Sequence, residues 1–258
     1  MASVTVLTLI PNAGDRLPRC LKSVQWADDI FCVVDPNTRD GSDAVAREYS
    51  NHVVEHAYEN KAAQVNWALP QIETEWTLVL DADEWVSEEL RDAIQTTIAN
   101  PDADGYYIKR KSYFFGKLIE HCGWDRDYNL RLFRTAKARY QDRRVHASVE
   151  VDGSVGRIHA VMYHDDKRDF DEYFRTFQRF TSWSAEDLYE RGKRARLSDL
   201  TLRPIARFIK MFVLRQGFRD GYHGAVLCGL AAFSVFTKYA KLWWLHYCAE
   251  HPERPPLA

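Results

Sequence analysis

The first third of the chain alternates short apolar runs with stretches of helical period. Val4–Ile10, Ile30–Val34, His52–Glu55 and Trp76–Leu80 read as strands. A run with no polar alternation is one buried on both faces, as in a parallel sheet. Between these runs, Asp15–Val24, the stretch from Asp40-Gly41-Ser42 through Tyr49, and Lys61–Leu69 read as helices. Ser87 then caps a further helix whose first turn carries Glu88 and Glu89, a side-chain acceptor and negative charge both favouring a helix start. Strands alternating with helices at this spacing predict an α/β fold with a mostly parallel sheet and right-handed crossovers.

The run Trp76–Leu80 ends in Asp81-Ala82-Asp83-Glu84. In open α/β sheets ligands bind outside the carboxyl ends of the strands, so these acids stand where a site is expected. Carboxylates one residue apart repel each other. A hard divalent cation, Mg²⁺ or Mn²⁺, relieves that repulsion and can neutralise a diphosphate. The plainer reading is a polar loop leading into the next helix, with Glu84 as a helix-start acid. Asp35, after the second strand, reads equally as a turn cap in Asp35-Pro36-Asn37. Gln64 and Asn66 also fit a solvated helix face. Arg131 and Arg134 flank Leu132 and Phe133, so strand alternation puts them on opposite faces and lets one of them clamp a phosphate.

Taken in order, Pro11-Asn12, Cys20 to Val24, Val33-Val34-Asp35 through Asp40-Gly41, Gln64-Val65-Asn66 and Leu80 to Glu84 resemble the inverting family 2 glycosyltransferases. Gly105-Tyr106 with Arg110, Phe115-Gly116-Lys117, His121 to Trp124, Arg131 to Arg134, Val145-His146, Asp152-Gly153, His164, Lys238-Tyr239 and Leu242-Trp243 resemble its lipopolysaccharide-core β-1,4-glucosyltransferase branch. The resemblance implies a nucleotide-diphospho-sugar transferase (GT-A type) fold. It also implies a UDP-sugar donor, a glycan or glycolipid acceptor, and transfer of a hexose, glucose by branch. On that reading Pro11, Asp35, Gln64, Asn66, Asp81, Arg131 and Arg134 contact the donor nucleotide, Asp83 ligates Mn²⁺ or Mg²⁺, and His146 is an active-site residue. Where the branch reads Val-His-Glu, the chain reads Val145-His146-Ala147, so Asp127 becomes the candidate general base. Ala13, Pro36 to Arg39 and Val65 are further departures, with Lys61 one helical turn before the missing basic residue. The alternative is a catalytically silent relative that binds or scaffolds.

Composition fits a single-core enzyme: 258 residues, 46% hydrophobic and 28% charged, with no linker or repeat. Five scattered cysteines without C-x-x-C spacing argue against zinc or a disulfide framework, and free thiols predict a cytoplasmic protein. The N-terminus reads as a strand rather than a signal peptide, and the tail from His251 as frayed. Charge is uneven. Residues 191–241 hold 11 cations and 2 acids, net +9, which leaves −11 for the rest. Their aromatic content suits an anionic membrane surface at the inner face of the cytoplasmic membrane. Helices packed on the catalytic domain with solvated charges are the plainer account. The near-uncharged run Gly224–Thr237 is 14 residues, short of the ~20 that span a bilayer. No reader motif accompanies the charge, so no nucleic-acid partner is expected. The expected division is a catalytic domain over 1–165, with a nucleotide-sugar half 1–105 and an acceptor half 106–165, and a helical extension over 166–258.

Overall fold

The computed structural model of the protein describes residues 2–141 and 148–253, the side chain of Lys167 aside. His146 and the tail residues 254–258 lie outside the described residues. The chain divides into two compact units, 1–112 with 126–165, and 113–125 with 166–258.

The strands are β1 (Val4–Ile10), β2 (Asp29–Val34), β3 (His52–Glu55), β4 (Trp76–Asp81), β5 (Glu84–Val86), β6 (Gly105–Phe114), β7 (Lys117–Leu118), β8 (Tyr128–Arg134), β9 (Ala138–Tyr140), β10 (Val149–Val151) and β11 (Val155–Lys167). The main sheet has the order β3-β2-β1-β4-β8-β6-β11-β5, and β9 pairs with β10 separately. Helices α1 (Leu17–Lys22), α2 (Ser42–Tyr49), α3 (Lys61–Ala68) and α4 (Glu88–Ala99) join the early strands. Their crossovers make β1, β2, β3 and β4 parallel neighbours. From β6 on, helical crossovers give way to shorter returns, and β8 pairs antiparallel with β4 and β6, as does β5 with β11. The sheet is therefore mixed, not mostly parallel.

Parity explains why the early runs are apolar throughout. Val4, Val6, Ile30, Cys32, Val34, Leu78 and Leu80 point into one cluster with Leu21 of α1 and Ile94 of α4. Leu7, Leu9, Phe31, Val33 and Val79 point into another with Ala62 and Val65 of α3. β1, β2 and β4 bury both faces, and successive residues serve opposite layers.

The second unit holds α5 (Phe170–Glu190), α6 (Leu197–Leu200), α7 (Leu202–Ile209) and α8 (Gly221–Glu250). Its core joins Phe114, Ile119 and Cys122 to Met211, Leu227 and Cys228. Asp220, 3% exposed, accepts from the backbone N–H groups of Glu120 (3.2 Å) and His121 (2.9 Å) and pins this segment to the start of α8. Gly224 is required there, since a Cβ would lie 1.9 Å from the Gly217 carbonyl oxygen. The helical segment Gly217–Glu250 is long and apolar enough to cross a membrane by length and composition. The 14-residue run understated it, because the apolar character continues past Lys238.

Candidate active site

The parallel strands bring their carboxyl ends to one edge. Ile10 pairs with Val34 and Leu9 with Asp81, so Pro11, Asp35 and Asp81 share that edge. The antiparallel strands add to it from the other direction. Lys109 pairs with Tyr128, and the next rung is closed by the Arg110 N–H donating to the Asp127 carbonyl at 2.8 Å. Glu84 lies opposite His164 in the β5–β11 register.

A continuous chain of charge results. Lys61 Nζ donates to both Asp81 carboxylate oxygens at 2.6 Å. Arg131 Nη2 donates to Asp81 Oδ2 (2.8 Å) and Glu84 Oε1 (2.7 Å). Arg110 bridges onward, from Nη1 to Glu84 Oε1 (3.0 Å) and from Nε to Asp127 Oδ2 (2.7 Å). Asn129 Nδ2 donates to the other Asp127 oxygen at 3.0 Å. Beside this chain, His164 Nε2 is 3.4 Å from Asp83 Oδ2, and its Nδ1 contacts Ser112 Oγ at 3.1 Å.

Burial alone would favour protonated Asp81, but the Arg131 guanidinium and the Lys61 ammonium outweigh it and hold the carboxyl well below its ordinary value. Burial and the neighbouring Arg131 draw Lys61 down. Burial also opposes the charge on Arg131, yet Asp81 and Glu84 raise it above the ordinary arginine value. For His164, burial is outweighed by the hydrogen bond and charge of Asp83, and the imidazole is raised. Asp81 is thus held ionised and Arg131 charged.

Asp83 and His164 are the residues here that could hold a divalent cation. Asp83, Asp127 and Asp81 each keep roughly a third of the side chain exposed, whereas Glu84 is fully buried. His164 Nε2 stands 3.4 Å from Asp83 Oδ2 and pairs with it. Ser112 Oγ orients the ring through its other nitrogen. With His164 neutral, as ligation requires, Lys61, Arg110 and Arg131 stand against Asp81, Asp83, Glu84 and Asp127, one negative charge in excess. A divalent cation reverses that sign to suit a diphosphate. Among the described residues no group of three His, Cys, Asp or Glu encloses an ion, so waters and phosphate oxygens would complete the shell.

The sequence-derived candidates divide. Asp81, Asp83, Arg131 and Asp127 come together, joined by Lys61, Glu84, Arg110 and His164. Pro11 and Asp35 share the edge, with Asp35 Oδ1 already capping the Asn37 N–H at 2.9 Å. Arg134 does not belong. It pairs with Trp76 at the amino end of β4, five residues or roughly 17 Å from Asp81. There it is ion-paired with Glu75 and Asp104. A cleft of about 760 Å³ lies at that end, lined by Glu75, Arg134 and Lys137, so cleft size does not locate this chemistry. Gln64 is 1% exposed, its amide shared with the His56 ring (2.7 Å) and carbonyl (2.8 Å). It therefore positions His56, which stacks on Trp67 at 4.0 Å. Asn66 exchanges both amide hydrogen bonds with the Tyr140 backbone, each at 2.9 Å. Glu84 is the middle residue of the charge chain and not a helix-start acid, because it sits in β5. Arg110 and His164 had no local signal beyond the branch resemblance, since only strand register brings them here.

Comparison with known proteins gives the family. The chain is 26% identical over 249 residues to the lipopolysaccharide core biosynthesis glycosyltransferase LpsC of Rhizobium meliloti (strain 1021), covering 93% of this chain and 92% of that protein. It is 26% identical over 258 residues to an uncharacterized glycosyltransferase of Rickettsia felis, covering 94% and 90%. Among solved structures, S. aureus TarS 1-349 in complex with UDP-GlcNAc aligns over 97% of this chain and 92% of that one, at TM-score 0.49 and 12% identity. Residues 5–152, more than half of the chain, match the model of glycosyl transferase family 2, and the protein belongs to that family as a glycosyltransferase.

Proposed function

We propose that the chain is a metal-dependent, inverting hexosyltransferase that moves glucose from a UDP-sugar to a lipopolysaccharide-core or other envelope glycan. The observation that supports this most is the charge chain from Lys61 through Asp81, Arg131, Glu84 and Arg110 to Asp127, with Asp83 and His164 beside it. Pro11 and Asp35 border the nucleoside, Asp35 accepting the uracil imide N–H. Asp81, kept ionised by Lys61 and Arg131, accepts hydrogen bonds from donor hydroxyls. Asp83 and His164 would hold Mn²⁺ or Mg²⁺, which neutralises charge on the departing diphosphate. Asp127 takes the proton of the acceptor hydroxyl as general base. Arg110 and Asn129 fix its carboxylate, so little reorganisation accompanies the transfer.

Similarity to LpsC supports an envelope acceptor, since each of the two proteins is covered over more than nine-tenths of its length. Such an acceptor and the +9 segment fit a cytoplasmic protein held peripherally at the inner face of the cytoplasmic membrane. The test is calorimetric titration with UDP-glucose and other nucleotide sugars, with and without Mn²⁺, followed by transfer assays on core oligosaccharide. Metal-independent UDP binding would remove the cation from the mechanism. Donor binding without transfer to any envelope glycan would favour a silent relative.

A further inference from the structure

We propose that α7 and the turn after it lie in the plane of an anionic lipid surface, with their outer apolar side immersed. This rests on the peripheral reading above and names the face that carries it. The segment is apolar on two sides. Inward, Phe208, Met211 and Phe212 pack with Leu227 and Ile119 of their own unit. Outward, Leu202, Ile205 and Ile209 fall at i, i+3 and i+7, one face of the helix, and Val213, Leu214 and Phe218 extend it. These six side chains are 46–71% exposed. One apolar face suffices to dock a helix on its own protein, and this second face covers nothing among the described residues of its unit.

The charges around it select the occupant. Residues 200–219 contain Arg203, Arg207, Lys210, Arg215 and Arg219 and no acid. A second copy docked face to face would set these cations against one another, which is costly. Nucleic acid would use the cations but not the five aliphatic side chains between them. An anionic bilayer uses both, phosphates meeting the arginines while the apolar stripe enters the headgroup–acyl boundary by about 5–10 Å.

The long helix α8 is tied down differently. Lys241 Nζ donates to the Gln178 carbonyl (3.0 Å), Thr181 Oγ1 (2.8 Å) and Ser182 Oγ (2.8 Å) on α5, and the His246 ring contacts the Lys193 carbonyl at 2.9 Å. Threading α8 across a bilayer would strip a lysine of these partners in hydrocarbon. An in-plane arrangement keeps them.

The test is co-sedimentation of the full-length protein with phosphatidylglycerol-containing and pure phosphatidylcholine vesicles, at low and high salt. Wild type should bind the anionic vesicles alone. Ile205→Ser/Ile209→Ser/Leu214→Ser should weaken that binding by at least about tenfold, because the stripe no longer enters the interface. Arg207→Gln/Lys210→Gln/Arg219→Gln should weaken it on the order of a hundredfold at low salt. Both variants should bind UDP like wild type. A second set, Leu202→Ser/Val213→Ser, also on exposed positions, should act in the same direction and serves if the triple variant fails to fold. If the serine variants bind as wild type does, the apolar face is not the anchor, although the peripheral reading stands. If wild type binds neither vesicle, both fall. A dimer dissociated by the serine variants, without vesicle binding, would assign the face to a second copy instead.

Discussion

The two units use charge and apolar surface in opposite ways. In the first, charge goes inside: Glu84 is fully buried and Arg131 is 4% exposed, each satisfied by partners of opposite sign. In the second, apolar surface goes outside: Leu214 is 71% exposed among cations. A buried charge array is expensive to assemble and loses much when one member is removed, so it fixes geometry. An exposed apolar stripe costs solubility and fixes nothing within the fold, so its use lies in what it meets. One unit is built to hold groups still, and the other to present a surface.

The largest expected effect tests whether the buried array serves chemistry. Asp127→Asn should lower the transfer rate by ~10²–10⁴-fold while UDP affinity stays unchanged, because only proton abstraction is lost. Unimpaired transfer would leave the array a structural device.

Stability gives the next contrast. Glu84→Gln leaves Arg110 and Arg131 buried with less compensation, and should cost about 3–5 kcal/mol in urea unfolding. Lys210→Gln in the second unit should stay within about 0.5 kcal/mol. Equal losses would erase the distinction between the units.

Asp83→Asn sharpens the division inside the first unit. Metal-dependent UDP binding should weaken at least tenfold, or ~1.4 kcal/mol, without the stability loss of Glu84→Gln. Titration calorimetry beside thermal melting separates the two acids.

The smallest effect is a pH dependence in the second unit. The Arg196 N–H donates to Asp199 and Arg203 pairs with it, and together they hold the Asp199 carboxyl below its ordinary value. A depressed folded value means stability present above about pH 4 that disappears as pH falls through the lower value. Asp199→Asn should therefore flatten part of the acid decline in Tm; an unchanged decline would show that other carboxylates account for it.

Much of the first unit was legible because its signals are local. A doubly buried strand must be apolar at successive positions, and β1, β2 and β4 are. The early strands stand within one residue of their expected bounds. Ser87 caps α4 as expected, accepting from the Leu90 N–H at 3.1 Å. Asp81 and Asp83 were visible because they end a buried strand. Gln64, Asn66 and Arg134 stand apart from the charge chain for one shared reason: a polar side chain in a motif shows its chemistry but not its partner. Gln64 met His56, Asn66 met the Tyr140 backbone, and Arg134 met Glu75 at the far end of β4.

The sequence by itself determined the first four strands, which edge of the sheet carries acids, and that the cations gather in one late segment. All of these follow from side-chain type and short-range spacing. The tertiary structure decided which charges meet. Lys61, Glu84, Arg110, Asp127, Arg131 and His164 lie up to 103 positions apart, and antiparallel register alone sets Glu84 opposite His164 and Arg110 beside Asp127. It also decided that α7 turns one of its apolar faces outward, because a periodic helix shows that it has such a face but not whether anything covers it.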